Sequence, residues 1–119
     1  YLERQEGRIL PVPHCVEGTP GWELFGSIAG LVEHGDMCFR KPAFGCAELP
    51  AWLVTQGFDE IELVGVVTNI CVTANAILAK TALPEALVLV DASCVASYDD
   101  ALHEKALDVL ESLQVRVLR

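Results

Sequence analysis

The chain has 119 residues, 52% of them hydrophobic, and a mean hydropathy of +0.39, which fits one folded domain and excludes a disordered segment. A formal charge of −9 and a pI near 4.6 argue against a nucleic acid or an anionic membrane surface as partner. No apolar run approaches the ~18 residues a membrane helix needs, and the charged start Tyr1-Leu2-Glu3-Arg4 does not open a secretion signal, so a cytoplasmic protein is the expectation.

Residues 1–21 turn from polar to rich in Pro and Gly and read as an extended loop. Residues 22–32 carry Leu24, Phe25, Ile28, Leu31 and Val32 at helical spacing, with Gly26 and Gly30 among them. A short strand is expected over 37–41. A helix is expected over 47–56, with Leu49, Trp52 and Leu53 on one face and Gly57 as its stop. Residues 60–67 form an almost unbroken apolar run, as in a parallel strand covered on both faces. A helix over 69–82 ends at Pro84, and a second buried strand covers 86–90. Residues 99–113 predict an amphipathic helix with Leu102, Ala106, Val109, Leu110 and Leu113 on its apolar face. A last strand covers 115–118. The order β-α-β-α-β-α-β predicts an α/β fold: one domain over 1–119 with an open, mostly parallel sheet and right-handed crossovers.

Ligands and reacting groups of such sheets gather at the carboxyl ends of strands. Three segments are expected there: Lys41, Thr68–Cys71 and Asp91–Ser93. Cys71 follows the central apolar run and opens a helix, where the helix dipole and backbone N–H groups favour a thiolate. A buried thiol acting as a small hydrophobe fits the same position. Lys41 reads either as a cation for that thiolate or as a solvated surface lysine. His14, in the proline-restricted loop Leu10-Pro11-Val12-Pro13-His14-Cys15, reads as a metal ligand, a general base or a hydrogen-bonding loop residue. Glu3 and Glu6 are either solvated or carboxylates for a metal. His34 reads as a turn residue and His103 as a solvated residue on the polar side of the last helix. The other cysteines, Cys15, Cys38, Cys46 and Cys94, form no CxxC pair and read as reduced thiols.

Four segments together resemble the cysteine hydrolase (isochorismatase-like) superfamily, and within it nicotinamidases. Gly65-Val66-Val67-Thr68-Asn69-Ile70-Cys71-Val72 is similar to the nucleophile segment, and Arg40-Lys41-Pro42-Ala43-Phe44-Gly45 to the catalytic-lysine segment. Pro11-Val12-Pro13-His14-Cys15-Val16-Glu17-Gly18-Thr19 is similar to the metal-histidine segment, and Asp91-Ala92-Ser93-Cys94-Val95-Ala96-Ser97 to the C-terminal region.

The resemblance implies a three-layer α/β/α sheet of the isochorismatase type and an Asp–Lys–Cys triad. Cys71 is the implied nucleophile and Lys41 its electrostatic partner. A cis peptide between Val66 and Val67 is implied, with the N–H groups of Val67 and Cys71 as the oxyanion hole. His14, with Glu6 as an extra ligand, is implied to hold a divalent ion, whether Zn, Fe, Mn or Mg. The implied reaction is hydrolysis of a small carboxamide through a thioester, nicotinamide to nicotinate and ammonia, within NAD metabolism. The alternatives are an N-carbamoyl or ureido substrate, or a non-catalytic homologue acting as a binding module. Neither the family's catalytic Asp nor its Asp-x-His metal pair is present. The expectation is a fragment, roughly the C-terminal two-thirds of an enzyme and inactive alone, lacking its N-terminal strand. Asn69 stands where many nicotinamidases carry Asp, and Pro11 where many carry an aromatic residue. By analogy the enzyme is a homo-oligomer, a dimer or tetramer.

Overall fold

A computed structural model describes residues 2–10 and 12–119, so Pro11 lies outside the described residues. The chain divides into two compact units, Tyr1–Ala43 and Phe44–Arg119.

In the first unit no described residue is buried, so local bonds and turns set its path. It holds a short helix α1 (Gln5–Ile9) and two 3-10 turns, Pro20–Trp22 and Gly26–Leu31. The second turn replaces the helix expected over 22–32; Gly26, at φ +58, adopts a left-handed conformation that breaks an α-helical run. Arg40 donates to Glu17 at 2.8 Å and lies over the Trp22 ring at 5.2 Å. The strand expected over 37–41 is not formed: these residues enter no ladder, and a strand exists only where backbone groups find a pairing partner.

The second unit carries the core. Helix α2 (Leu49–Gln56) begins two residues later than the sequence suggests, because Pro50, which lacks an N–H, suits its first turn. Gly57, at φ +65, closes it with an N–H bond to Leu53 O at 3.0 Å. Strand β1 (Glu60–Val66) follows, then a single π turn (Thr68–Val72), helix α3 (Thr73–Ala82), strand β2 (Leu87–Ala96), helix α4 (Asp100–Ser112) and strand β3 (Arg116–Leu118). Among the described residues the sheet has three strands in the order β1-β2-β3, both pairs parallel. The fold is therefore α/β with a parallel sheet, with one strand fewer than the sequence pattern suggests.

Two differences in detail matter for the site. Strand β2 runs to Ala96 rather than stopping at 90, so Asp91–Ser93 lies within the strand and not beyond its end. The β1–β2 register jumps from Leu63↔Val90 to Gly65↔Val95, so residues 91–94 bulge out of that ladder while Asp91 still pairs with Leu118 of β3. The buried face of α4 is also rotated from the expected one. It consists of Ala106, Leu107 and Leu110, whereas Val109 and Leu113 are exposed.

The core gathers Leu53 of α2, Val72, Ala76 and Ala79 around α3, Val88, Val90 and Val95 of β2, Leu107 and Leu110 of α4, and Val115. Helix α3 packs on α2, α4 and β2, and α4 packs on β3 and on the π turn. Ile61 and Leu63 of β1 pack against this core, while Val64 and Val66, on the opposite face, are exposed. Among the described residues, the largely apolar run of β1 is thus covered on one face only. Among the described residues no helix is long and apolar enough to cross a membrane.

Candidate active site

The turn between β1 and α3 is the structured centre around Cys71. β1 ends at Val66, the Val66–Val67 peptide is cis, and the chain then winds through the π turn that holds Cys71 before α3 begins at Thr73. The N–H groups of Ile70 and Val72 both donate to Val67 O, at 3.0 and 3.2 Å. Cys71 is half-buried, and all five cysteines are thiols.

Side chains from four directions fix this turn. The Thr73 hydroxyl donates to Thr68 O at 2.7 Å. The Thr68 hydroxyl, fully buried, is bonded to His103 Nδ1 of α4 at 2.9 Å. The Ser97 hydroxyl donates to Asn69 Oδ1 at 2.6 Å and accepts the Asp99 N–H at 3.2 Å, tying the turn to the β2–α4 connection. Asn75 Nδ2 donates to Cys71 O at 2.7 Å and to Phe44 O at 3.2 Å, and its Oδ1 accepts the Cys46 N–H at 2.8 Å. A buried polar group left unbonded costs about 1–3 kcal/mol, so such a fully bonded set holds one conformation.

His103 is thereby corrected from a solvated residue to a half-buried partner of Thr68. Asn75, Ser97 and Thr68 were not singled out as bonding groups by the sequence. Their short polar side chains inside apolar segments were the one available signal, and that signal does not name a partner.

Glu6, His14 and Lys41 belong to the first unit. Glu6 is in α1 and half-buried. His14 is exposed and its Nδ1 lies 3.0 Å from Val12 O. A carbonyl only accepts, so Nδ1 donates in this bond, and Nε2 is the ring nitrogen that a metal would take. Lys41 Nζ donates to Ala43 O at 3.0 Å. Among the described residues no group of three or more His, Cys, Asp or Glu side chains is placed to hold a metal ion. His14 fits as a single ligand, but the residues present do not make a metal site.

Asp91 lies in the β2 bulge and holds Ser93 by two bonds to Oδ1, from the hydroxyl at 2.6 Å and the N–H at 2.8 Å. These bonds, the hydroxyl's foremost, hold its carboxyl below the ordinary carboxylate range.

A model of the isochorismatase domain matches residues 1–119, through both units. The chain belongs to the isochorismatase family. A family member from Bacillus subtilis (strain 168), described as the uncharacterized isochorismatase family protein PncA, is 32% identical over 110 residues, covering 86% of this chain and 58% of that protein. Among solved structures, the nicotinamidase PncA of Bacillus subtilis superposes with a TM-score of 0.82 at 27% identity, covering 97% of this chain and 67% of that one. The pyrazinamidase/nicotinamidase of Streptococcus mutans UA159 gives 0.78 at 28% identity, covering 96% and 66%. This isochorismatase-family chain thus spans little more than half the length of the curated relative it matches.

Proposed function

We propose that the protein is a cysteine amidohydrolase acting on a small carboxamide, with nicotinamide to nicotinate and ammonia as its reaction. The observation that carries this reading is the placement of Cys71, half-buried in a turn between the carboxyl end of β1 and the first turn of α3. Such a position presents a thiol to a substrate beside backbone N–H groups. Similarity to a nicotinamidase and to a pyrazinamidase/nicotinamidase supports the choice of a small aromatic amide.

In this reading the Cys71 thiolate attacks the carboxamide carbon and the C=O electrons move to oxygen. The N–H groups of Val67 and Cys71 are assigned to that oxyanion. The tetrahedral species re-forms its C=O, the C–N bond breaks, and the amine leaves as ammonia after taking a proton. Water then cleaves the thioester, giving the carboxylic acid and the free thiol. Lys41 is assigned as the cation that favours the thiolate. His14 and Glu6 would supply at most two ligands to a divalent metal, which is short of a site, and no step above is routed through one.

The test is Cys71→Ala in the intact natural protein. Ammonia release from nicotinamide should fall to background while circular dichroism stays that of the parent. Turnover near the parental rate overturns the covalent route. Release of ammonia by the parent from an N-carbamoyl compound but not from nicotinamide moves the assignment to the ureido class.

A further inference from the structure

Thr68 is the one polar residue buried in the core among the described residues. It also opens the turn that carries Cys71, three positions on. Both polar ends of Thr68 are held from outside the turn. Its carbonyl accepts from Thr73 of α3, and its hydroxyl is bonded to His103 Nδ1 of α4, 35 residues away in sequence. Helix α4 packs directly on the turn, and His103 sits on the same side of it as the buried Ala106, Leu107 and Leu110, at i, i+3, i+4 and i+7. The imidazole therefore reaches the turn from a helix anchored in the core, and its bond to Thr68 is one of the side-chain bonds that tie that turn down.

We propose that His103 is a positioning residue for Cys71: through the buried Thr68 hydroxyl it fixes the turn that presents the thiol. The role rests on the reading of Cys71 as the nucleophile. His103 acts through Thr68 and is assigned no contact with substrate. Its effect on rate follows from geometry, since a displacement of about 1 Å at a reacting group costs up to about a hundredfold.

The experiment compares His103→Phe, which keeps a ring but removes the bond, with His103→Asn, which places a polar atom near the Nδ1 position. Two quantities are read on protein held well below its unfolding midpoint. They are the rate of Cys71 alkylation by iodoacetamide, followed by mass spectrometry against Cys15, Cys38, Cys46 and Cys94, and kcat and KM for ammonia release. H103F should slow Cys71 alkylation about tenfold and lower kcat by a similar factor, with KM within about twofold. H103N should retain at least about half of the parental values. Thr68→Val should match H103F, Thr68→Ser should retain activity, and the T68V/H103F double variant should be no slower than either single one.

Parental alkylation of Cys71 no faster than that of the exposed cysteines overturns the nucleophile reading and this role with it. Fast parental alkylation that H103F and T68V leave unchanged overturns the positioning role alone, as does additivity in the double variant. If H103F does not fold, the comparison of T68V with T68S decides: equal rates overturn the proposal.

Discussion

Asp91 uses a single carboxylate oxygen to hold both the hydroxyl and the N–H of Ser93, and this pins the tip of the β2 bulge. Its folded-state pKa is lowered relative to an unfolded Asp at about 3.9, so the stabilisation is present above that value and is lost as pH falls through the lower folded one. Ser93→Ala removes the larger of the two causes. The Asp91 carboxyl carbon, followed by NMR titration, should then show its midpoint move up toward the unfolded value; an unmoved midpoint rejects the hydrogen-bond cause. At this scale the sequence was informative about chemistry and poor about partnership. Cys71 stands out because a thiol after an apolar run and small polar residues has few uses. His103 does not stand out, because its bond runs to a residue 35 positions away that no periodicity links to it.

Helix α4 was legible in extent, and Asp99 before it was the right kind of residue to start it. In the structure its Oδ1 accepts the Leu102 N–H at 2.9 Å. Asp99→Ala should lower stability by about 0.5–2 kcal/mol, read from the urea midpoint at unchanged m-value. The face of α4 was not legible. Counting apolar residues favours the stripe through Leu102, Val109 and Leu113, yet the sheet and the π turn cover the stripe through His103, Ala106, Leu107 and Leu110. Two candidate stripes share Ala106 and Leu110, and only the approach of the neighbours chooses between them. The same reason explains β2, where Asp91 and Ser93 look like a strand's end but belong to a bulge with pairing resumed at Val95. Local pattern reports propensity, whereas ladder continuity depends on the strand alongside.

Across the molecule, every buried hydrophobic residue among those described, from Cys46 to Val115, belongs to the second unit. Stability of that unit therefore depends on a small set of fully enclosed side chains, with Leu107, Leu110, Val88 and Val90 the largest apolar ones. Leu107→Ala should cost about 2–5 kcal/mol in equilibrium unfolding, whereas a change at the exposed Val109 should stay within about 0.5 kcal/mol. The α/β class and parallel order were legible because β1, α3, β2, α4 and β3 each carry a strong pattern of their own. The path of residues 22–41 was not, since that stretch buries nothing and its apolar residues impose no face. Asn75 draws the second unit's features together. Both hydrogens and the oxygen of its amide are in use, on Phe44, Cys71 and Cys46. Aspartate there would have no hydrogen to give and would turn negative charge on two carbonyl oxygens. A single hydrolysed amide would therefore undo the bonds to Cys71 O and Phe44 O together, without any change in the gene.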